Sequence, residues 1–255
     1  MRLFFIIVLI LFPLSESYSL TLQDSFGKKK DAIIRGFVRE GFEASLFNDS
    51  RLKLYPEIIR PPKALPDSES YYQKVFKPES VQRGRQVLVD HAELLQKVEE
   101  KFRVNREHVV AIYRVETYFG NYLGKYEVFN SLLTWIVGGT SRRAKWAENE
   151  LKAYLKICNI YNLDPFAVRG STHGAFGLLQ FIPSSFLMFA VDGNGDGAID
   201  LFNTEDAFHS TGNYLSKFGW DMLDEKKQRK VLWKYNHDRV YVDIVAKYAK
   251  AIRSL

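Results

Sequence analysis

The sequence of 255 residues has very little cysteine and none of several common catalytic signatures. Cys158 is the only cysteine, so no disulfide can form within the chain; we expect its thiol to be a buried apolar filler. No segment has the spacing of a zinc site, a nucleotide-binding loop or a Ser-His-Asp triad. Basic residues do not cluster with aromatic ones in a nucleic-acid-binding pattern. These absences argue against an organic cofactor and against a nucleic acid partner.

The N-terminus has the pattern of a secretory signal. Arg2 precedes an apolar run over residues 3–14, and small residues follow at 15, 17 and 19. We therefore predict a signal peptide at 1–19, a single domain at 20–255 and export to the periplasm or cell envelope. The run is short for a bilayer span, but an uncleaved signal that keeps the protein at the membrane stays open. No cysteine follows the run, which argues against a lipid anchor.

The net charge of +6 and the isoelectric point near 9.2 favour an acidic partner. For an exported protein, cell-wall polymers fit this charge. The oligomeric state does not follow from the sequence.

Helical periodicity dominates the chain and predicts a mainly α class. Apolar residues at helical spacing predict helices at 31–48, 80–103, 105–119, 142–161, 205–218 and 225–252. Five prolines between residues 52 and 78 predict an extended segment that lies over the body of the domain.

Glu116 is the most informative residue because it lies on an apolar helical stripe. Val109, Ile112, Tyr113 and Phe119 share that stripe. A carboxyl group among apolar neighbours has a raised pKa and can stay protonated as a general acid, which suits glycoside cleavage. The alternative is a glutamate at the edge of the stripe that reaches water or pairs with an arginine.

Two further segments carry polar groups suited to ligands. Residues 170–186 combine glycines, which let backbone approach a ligand, with Gln180, which can fix an acetamido group. The same glycines would also serve a tight helix crossing. Asn236 precedes the last helix and either caps it or faces a ligand. His237 is a possible proton carrier, although a lone histidine is more often structural.

The segment 192–203 has the ligand spacing of an EF-hand calcium loop. Its candidate ligands are Asp192, Asn194, Asp196, the carbonyl of Ala198, Asp200 and Asn203. Position 12 is Asn203 where the usual loop has a bidentate glutamate, so we expect weakened affinity. The loop predicts one structural calcium ion, and a polar turn without metal is the alternative. Calcium sensing would need paired EF-hands, which the sequence does not show.

Together these motifs resemble the membrane-bound lytic murein transglycosylase B family, which cleaves peptidoglycan glycan strands. The resemblance rests on the Val-Glu-Thr-x-Phe-Gly turn at 115–120, Arg142-Arg143, the Gly-Ser-x-x-Gly-Ala-x-Gly-x-x-Gln run from Gly170, the loop from Asp192, and Tyr235-Asn236. It covers the chain from about residue 31 to the C-terminus. Thr172-His173 departs from the family's more usual aromatic-Ala pair.

The resemblance implies a lysozyme-like catalytic domain with an added helical lobe and an EF-hand-like loop. It implies that Glu116 is the only catalytic acid and base, acting on the β-1,4 bond between N-acetylmuramic acid and N-acetylglucosamine and leaving a 1,6-anhydro end. It also implies sugar contacts and a basic pair for muramic carboxylates, at Ser171, Gln180, Tyr235, Asn236, Arg142 and Arg143.

Two other functions stay open. A hydrolytic muramidase would need a second carboxylate, such as Asp164 or Asp238. A peptidoglycan-binding protein with an inactive site would not need Glu116 to be an acid at all.

Overall fold

The computed structural model describes residues 14–59 and 73–253, with side chains from residue 21 onward. In these ranges the chain is mainly helical, as predicted, with one short antiparallel strand pair. The helices are α1 (Leu14–Val38), α2 (Pro56–Ile59), α3 (Pro78–Asp90), α4 (Ala92–Phe102), α5 (Arg106–Thr117), α6 (Val128–Gly138), α7 (Ser141–Tyr161), α8 (Pro183–Phe189), α9 (Thr204–Lys217), α10 (Glu225–Tyr235) and α11 (Arg239–Ile252), with a 3₁₀ helix at Ala44–Asn48. The strands are β1 (Tyr126–Glu127) and β2 (Arg169–Gly170), paired Tyr126 to Gly170 and Glu127 to Arg169.

Several predicted helix boundaries are wrong. The helix expected at 31–48 is the end of α1 followed by the 3₁₀ helix, because the chain turns at Gly41 with φ +87°. The helix expected at 80–103 is interrupted at His91. The helix expected at 225–252 is two helices, because Asp238 accepts a hydrogen bond from the Val240 amide and begins α11 afresh. The predictions at 142–161 and 205–218 agree with α7 and α9 to within one residue.

The N-terminal and proline-rich predictions lie partly outside the described residues. Residues 1–13 of the predicted signal and residues 60–72 of the predicted extended segment are not described. Within the described part, α1 is continuous across position 19, and α2 is a short helix inside the segment predicted to be extended. Among the helices of residues 14–59 and 73–253, none is long and apolar enough to cross a membrane.

The core is built around α6, which the periodicity did not reveal. Its side chains are buried on nearly every side, so its sequence is apolar all round instead of amphipathic. It packs along α7, which buries Leu151, Tyr154 and Cys158 against the same core. The Cys158 thiol is buried, as expected, and burial raises its pKa to about 11.

The helices around α5 position the side chains predicted to take part in catalysis and sugar binding. α5 packs against α11 and α3, and α10 and α11 form a helical pair. The segment between β2 and α8 folds back through bridges from Gly170 to Phe176 and from Phe176 to Phe181. The end of α5, this folded segment and the α10–α11 pair meet around Glu116.

Candidate active site

Glu116 lies in the last turn of α5, directly before the helix ends. Tyr118 and Phe119 adopt left-handed backbone conformations with φ of 51° and 59°, and Gly120 follows at +79°. The amide of Tyr118 donates to the Arg114 carbonyl, and that of Phe119 donates to the Tyr113 carbonyl, which satisfies the last turn. Gly120 was expected to cap the helix; Tyr118 is the cap instead. Three consecutive residues with positive φ thus fix the carboxyl at the helix end.

The apolar stripe predicted around Glu116 is present. Val109 and Ile112 are fully buried, and Tyr113 and Phe119 are 8% exposed. Glu116 itself is half-buried, and it forms no ion pair with an arginine of residues 14–59 and 73–253. Burial raises the pKa of its carboxyl to about 7, against a smaller opposing effect of a hydrogen bond from Tyr241. A group with that pKa exchanges its proton readily near neutral pH.

Two tyrosines from the α10–α11 pair border the carboxyl. Tyr241, in the first turn of α11, is buried and hydrogen-bonds Glu116. Tyr235, the last residue of α10, donates from its hydroxyl to the Leu179 carbonyl at 2.6 Å. Burial, and then the nearby Glu116 charge, raise the pKa of Tyr235 well above its usual range. The Tyr235 hydroxyl therefore stays protonated at neutral pH.

Thr117 joins the helix end to the glycine-containing segment. Its hydroxyl donates to the Leu178 carbonyl at 2.7 Å and accepts from the Gly120 amide at 3.0 Å. The residue is 1% exposed, so these bonds are shielded from water. The Thr in the Val-Glu-Thr motif thus sets the distance between Glu116 and residues 178–180.

Gln180 has a strained backbone with φ of 51°. Its side-chain amide donates to the Gly177 carbonyl at 3.0 Å, and more weakly to the Leu123 carbonyl at 3.5 Å. Both donors are thus turned toward backbone, which leaves the amide oxygen to accept from a ligand.

Ser171 and the glycines shape the same segment. The Ser171 hydroxyl oxygen accepts from the amides of His173 and Ala175, which leaves its own hydrogen to donate. The glycines serve packing: an added Cβ would meet Leu132 at 2.8 Å from Gly174 and Leu201 at 2.5 Å from Gly177. Of the two interpretations left open for these glycines, the structure supports close packing.

Arg142 and Arg143 are exposed in the first turn of α7. The Arg143 guanidinium lies 5.8 Å from the Trp135 ring centre and 6.0 Å from that of Trp146. His173 stacks on Trp135 with ring centres 5.2 Å apart. Burial and the Arg143 charge lower the pKa of His173, so its ring is neutral at neutral pH. Arg143 thus belongs to an aromatic cluster that the sequence did not reveal.

Asn236 ends α10, and its exposed side chain extends from the turn that joins α10 to α11. It does not cap the last helix, since Asp238 does. The two acids considered as second carboxylates form other contacts. Asp238 caps α11, and Asp164 forms an ion pair with Arg51 at 2.5 Å. Among the residues that the structure describes, no carboxylate contributes to the pKa shift of Glu116.

The loop at 192–203 has the turns of an EF-hand loop but a different closing residue. Gly195 and Gly197 have φ of +79° and +89°, and the Asp192 carboxylate accepts from both of their amides. The carboxylate oxygens of Asp206, a residue not predicted, accept from the amides of Gly193, at 2.8 Å, and Asp200, at 2.7 Å. Asp206 is 1% exposed, so it closes the loop from inside.

Asn203 was predicted as a metal ligand, but its side-chain oxygen accepts from the Glu205 and Asp206 amides and caps α9. Within residues 14–59 and 73–253, no three His, Cys, Asp or Glu side chains converge as a metal site. The loop thus has the glycine turns of an EF-hand loop, and its carboxylates at Asp192 and Asp206 hold loop amides.

The chain is similar to a known protein family and to a curated bacterial enzyme. The family model described as the transglycosylase SLT domain matches residues 24–231. The membrane-bound lytic murein transglycosylase B of Escherichia coli K12 is 34% identical over 155 residues, which is 61% of this chain and 43% of that relative. The alignment thus spans less than half the length of this curated relative.

Solved structures of two lytic transglycosylases share the fold. Escherichia coli Slt35 in complex with calcium has a TM-score of 0.80 at 23% identity, covering 88% of this chain and 92% of that one. Pseudomonas aeruginosa SltB3, in complex with NAG-anhNAM-pentapeptide, has the same TM-score and identity, covering 90% and 80%. The predicted mainly α, lysozyme-like fold is thereby confirmed.

Proposed function

The chain belongs to the transglycosylase SLT domain family, and from this premise we propose that it is a lytic transglycosylase of peptidoglycan. It cleaves the β-1,4 bond between N-acetylmuramic acid and N-acetylglucosamine and leaves a 1,6-anhydromuramic acid end. One observation carries the proposal: Glu116 has a pKa of about 7 at the meeting point of three elements, and no second carboxylate of the described residues contributes to it. SltB3, which shares the fold, is described with an anhydro-sugar ligand.

The reaction uses one carboxyl group twice. Protonated Glu116 donates to the glycosidic oxygen as the bond to the muramic anomeric carbon breaks, and the substrate's acetamido group stabilises the positive charge. The resulting carboxylate then takes the proton from the muramic 6-hydroxyl as that oxygen bonds to the anomeric carbon. Water is not consumed, and Glu116 ends in its initial state. A pKa near 7 leaves both forms populated at neutral pH, which serves both steps.

The surrounding residues bind and orient the strand. Tyr241 donates to Glu116 and stabilises its ionised form in the second step. The Gln180 amide oxygen and the Ser171 hydroxyl hydrogen offer an acceptor and a donor to the sugar substituents. Asn236 extends the binding surface from the α10–α11 turn. Arg142 and Arg143 supply positive charge for the lactyl or peptide carboxylates.

Location and calcium complete the proposal. A cell-wall substrate fits export to the envelope through the predicted signal at 1–19. Calcium, which Slt35 is described as binding, would be held by oxygens of Asp192, Asn194, Asp196, Ala198 and Asp200. Asp206 would supply the closing carboxylate, because it is buried and its oxygens already reach the Gly193 and Asp200 amides of the loop, whereas Asn203 caps α9. The ion would be structural: it would steady a loop whose Leu201 carbonyl accepts from the Leu178 amide, next to the bond between Leu178 and Thr117.

The test is mass spectrometry of the muropeptides released from purified peptidoglycan. Anhydro products are about 20 Da lighter than borohydride-reduced hydrolysis products, the mass of water plus two hydrogens. We expect these lighter products from the natural chain and none from Glu116→Gln. The exposed-site variant Glu79→Gln is the matched control and should keep full activity. Reducible products would instead establish a hydrolase, and binding without any product would establish an inactive wall-binding protein.

A further inference from the structure

A concave pocket on the outer side of the α10–α11 pair is not used by the chemistry at Glu116. It has a volume of about 530 Å³. It is lined by Arg229, Lys230, Trp233, Lys234, Arg239, Val242 and Asp243, and we call it the Trp233 pocket. It thus combines an aromatic ring with four basic side chains.

Trp233 is available to a ligand and held in place. The residue is 39% exposed, and the His237 ring packs edge-on against it with ring centres 5.5 Å apart. Trp233 and Tyr235 lie two residues apart on α10, so they point to nearly opposite sides of the helix. Tyr235 therefore faces the Glu116 site, and Trp233 faces outward. The turn that carries Asn236 connects the two surfaces.

Most of the positive charge in the pocket has no ion-pair partner among residues 14–59 and 73–253. Arg229 is paired with Asp243, the one acid in the lining. Lys230, Lys234 and Arg239 have no ion-pair partner within the described residues, although the Lys234 ammonium lies 4.9 Å from the Phe218 ring. Three free cations beside one aromatic ring complement a ligand that carries both carboxylates and flat apolar faces.

We propose that the Trp233 pocket binds a second stretch of the peptidoglycan strand, beyond the sugars held at Glu116; this rests on the proposed function. Trp233 stacks on the apolar face of a sugar ring, while Lys230, Lys234 and Arg239 pair with carboxylates of the stem peptides. The pocket is concave and has a single exposed ring, which suits a strand better than the flat surface of a bilayer. It lies one turn of chain from Asn236, so one strand can reach both surfaces.

Binding to purified sacculi in the Glu116→Gln background tests the proposal without turnover. We expect Trp233→Ala, and separately the double variant Lys230→Ala/Lys234→Ala, to lower affinity about fivefold, from lost stacking and two lost exposed ion pairs. Two matched controls on or next to α10 lie outside the pocket, Lys226→Ala and Leu223→Ala; both should bind like the parent. Circular dichroism and thermal melts establish that each variant is folded.

Two further arms identify the ligand chemistry. Sacculi whose carboxylates are capped as amides should bind the parent more weakly and should no longer discriminate the double lysine variant. If the double lysine variant loses as much affinity for capped sacculi as for native sacculi, the carboxylate assignment is overturned. If the pocket variants lose affinity for phosphatidylglycerol vesicles but not for sacculi, the proposal is overturned in favour of a membrane surface.

The proposal and the proposed function fail separately. If Trp233→Ala and the double variant bind sacculi like the parent, the pocket assignment is wrong, whatever products the natural chain makes. If the natural chain makes no anhydro product, the lytic reaction is wrong, whereas the binding comparison still reports on the pocket.

Discussion

Replacing Glu116 with glutamine should change how the stability of the protein depends on pH. The unfolding free energy of the variant, minus that of the natural chain, should increase between pH 4.5 and pH 8. The folded carboxyl has a pKa of about 7, against an ordinary value of 4.5, because burial penalises its charge. The folded state therefore holds this proton more tightly than the unfolded state. The stabilisation from the bound proton is fully present below pH 4.5 and is lost as the pH rises through about 7.

The magnitude follows from the distance between the two pKa values. Each pKa unit corresponds to about 1.4 kcal/mol, so the difference between 4.5 and about 7 gives an upper value of about 3.5 kcal/mol. Because Glu116 keeps some contact with solvent, about 2 kcal/mol is the working expectation. Glutamine has no such proton to lose, so the variant should gain this amount over the natural chain between pH 4.5 and 8.

Denaturant unfolding of both proteins at pH 4.5, 6 and 8 measures the effect. The difference in unfolding free energy, variant minus natural chain, should grow steadily across the series. Glu79→Gln, at an exposed site, should show no such trend. A difference that stays constant with pH would mean that Glu116 titrates alike in folded and unfolded chains, which would refute the burial argument for a general acid.

Three other changes have expected outcomes. Tyr241→Phe removes a hydrogen bond that lowers the Glu116 pKa, so the alkaline limb of the pH–rate profile should move to higher pH; an unmoved limb would contradict the contact. Thr117→Val leaves the buried Leu178 carbonyl and the Gly120 amide unpaired and should cost about 1–3 kcal/mol of unfolding free energy, with lower turnover at unchanged pH optimum. Asp206→Ala should lower the Tm and abolish the rise in Tm that millimolar calcium gives the natural chain over chelator; a calcium effect that survives would exclude Asp206 as a ligand.

The helix that carries Glu116 could be found in the sequence because a charge on an apolar stripe stands out in a linear pattern. Glu116, the stripe around it and the mainly α class all follow from helical periodicity. The breaks in the helices at His91 and at 236–238 did not follow, because apolar spacing continues across both interruptions. α6 was missed for the opposite reason: a helix buried on all sides has no polar face to mark its period.

The residues that support Glu116 could not be identified from spacing. Tyr241 reaches it from a helix more than a hundred residues away, and the Thr117 bond to Leu178 depends on how residues 170–182 fold back. Asp206 has one usable signal: an acid in the first turn of α9, directly after a loop rich in acids and glycine. The EF-hand spacing pointed to Asn203, since it counts positions and cannot show that a side chain already caps a helix.

The burial of Cys158 has a practical consequence for spectroscopy. Its thiol is 2% exposed, and a pKa of about 11 leaves almost no reactive thiolate at neutral pH. Fluorophores or spin labels that react with thiols will therefore leave the natural chain unmodified. A cysteine introduced at Tyr122, which is 60% exposed two residues beyond Gly120, would be the single reactive position. Motion at the end of α5 can then be followed during strand binding without first removing the native cysteine.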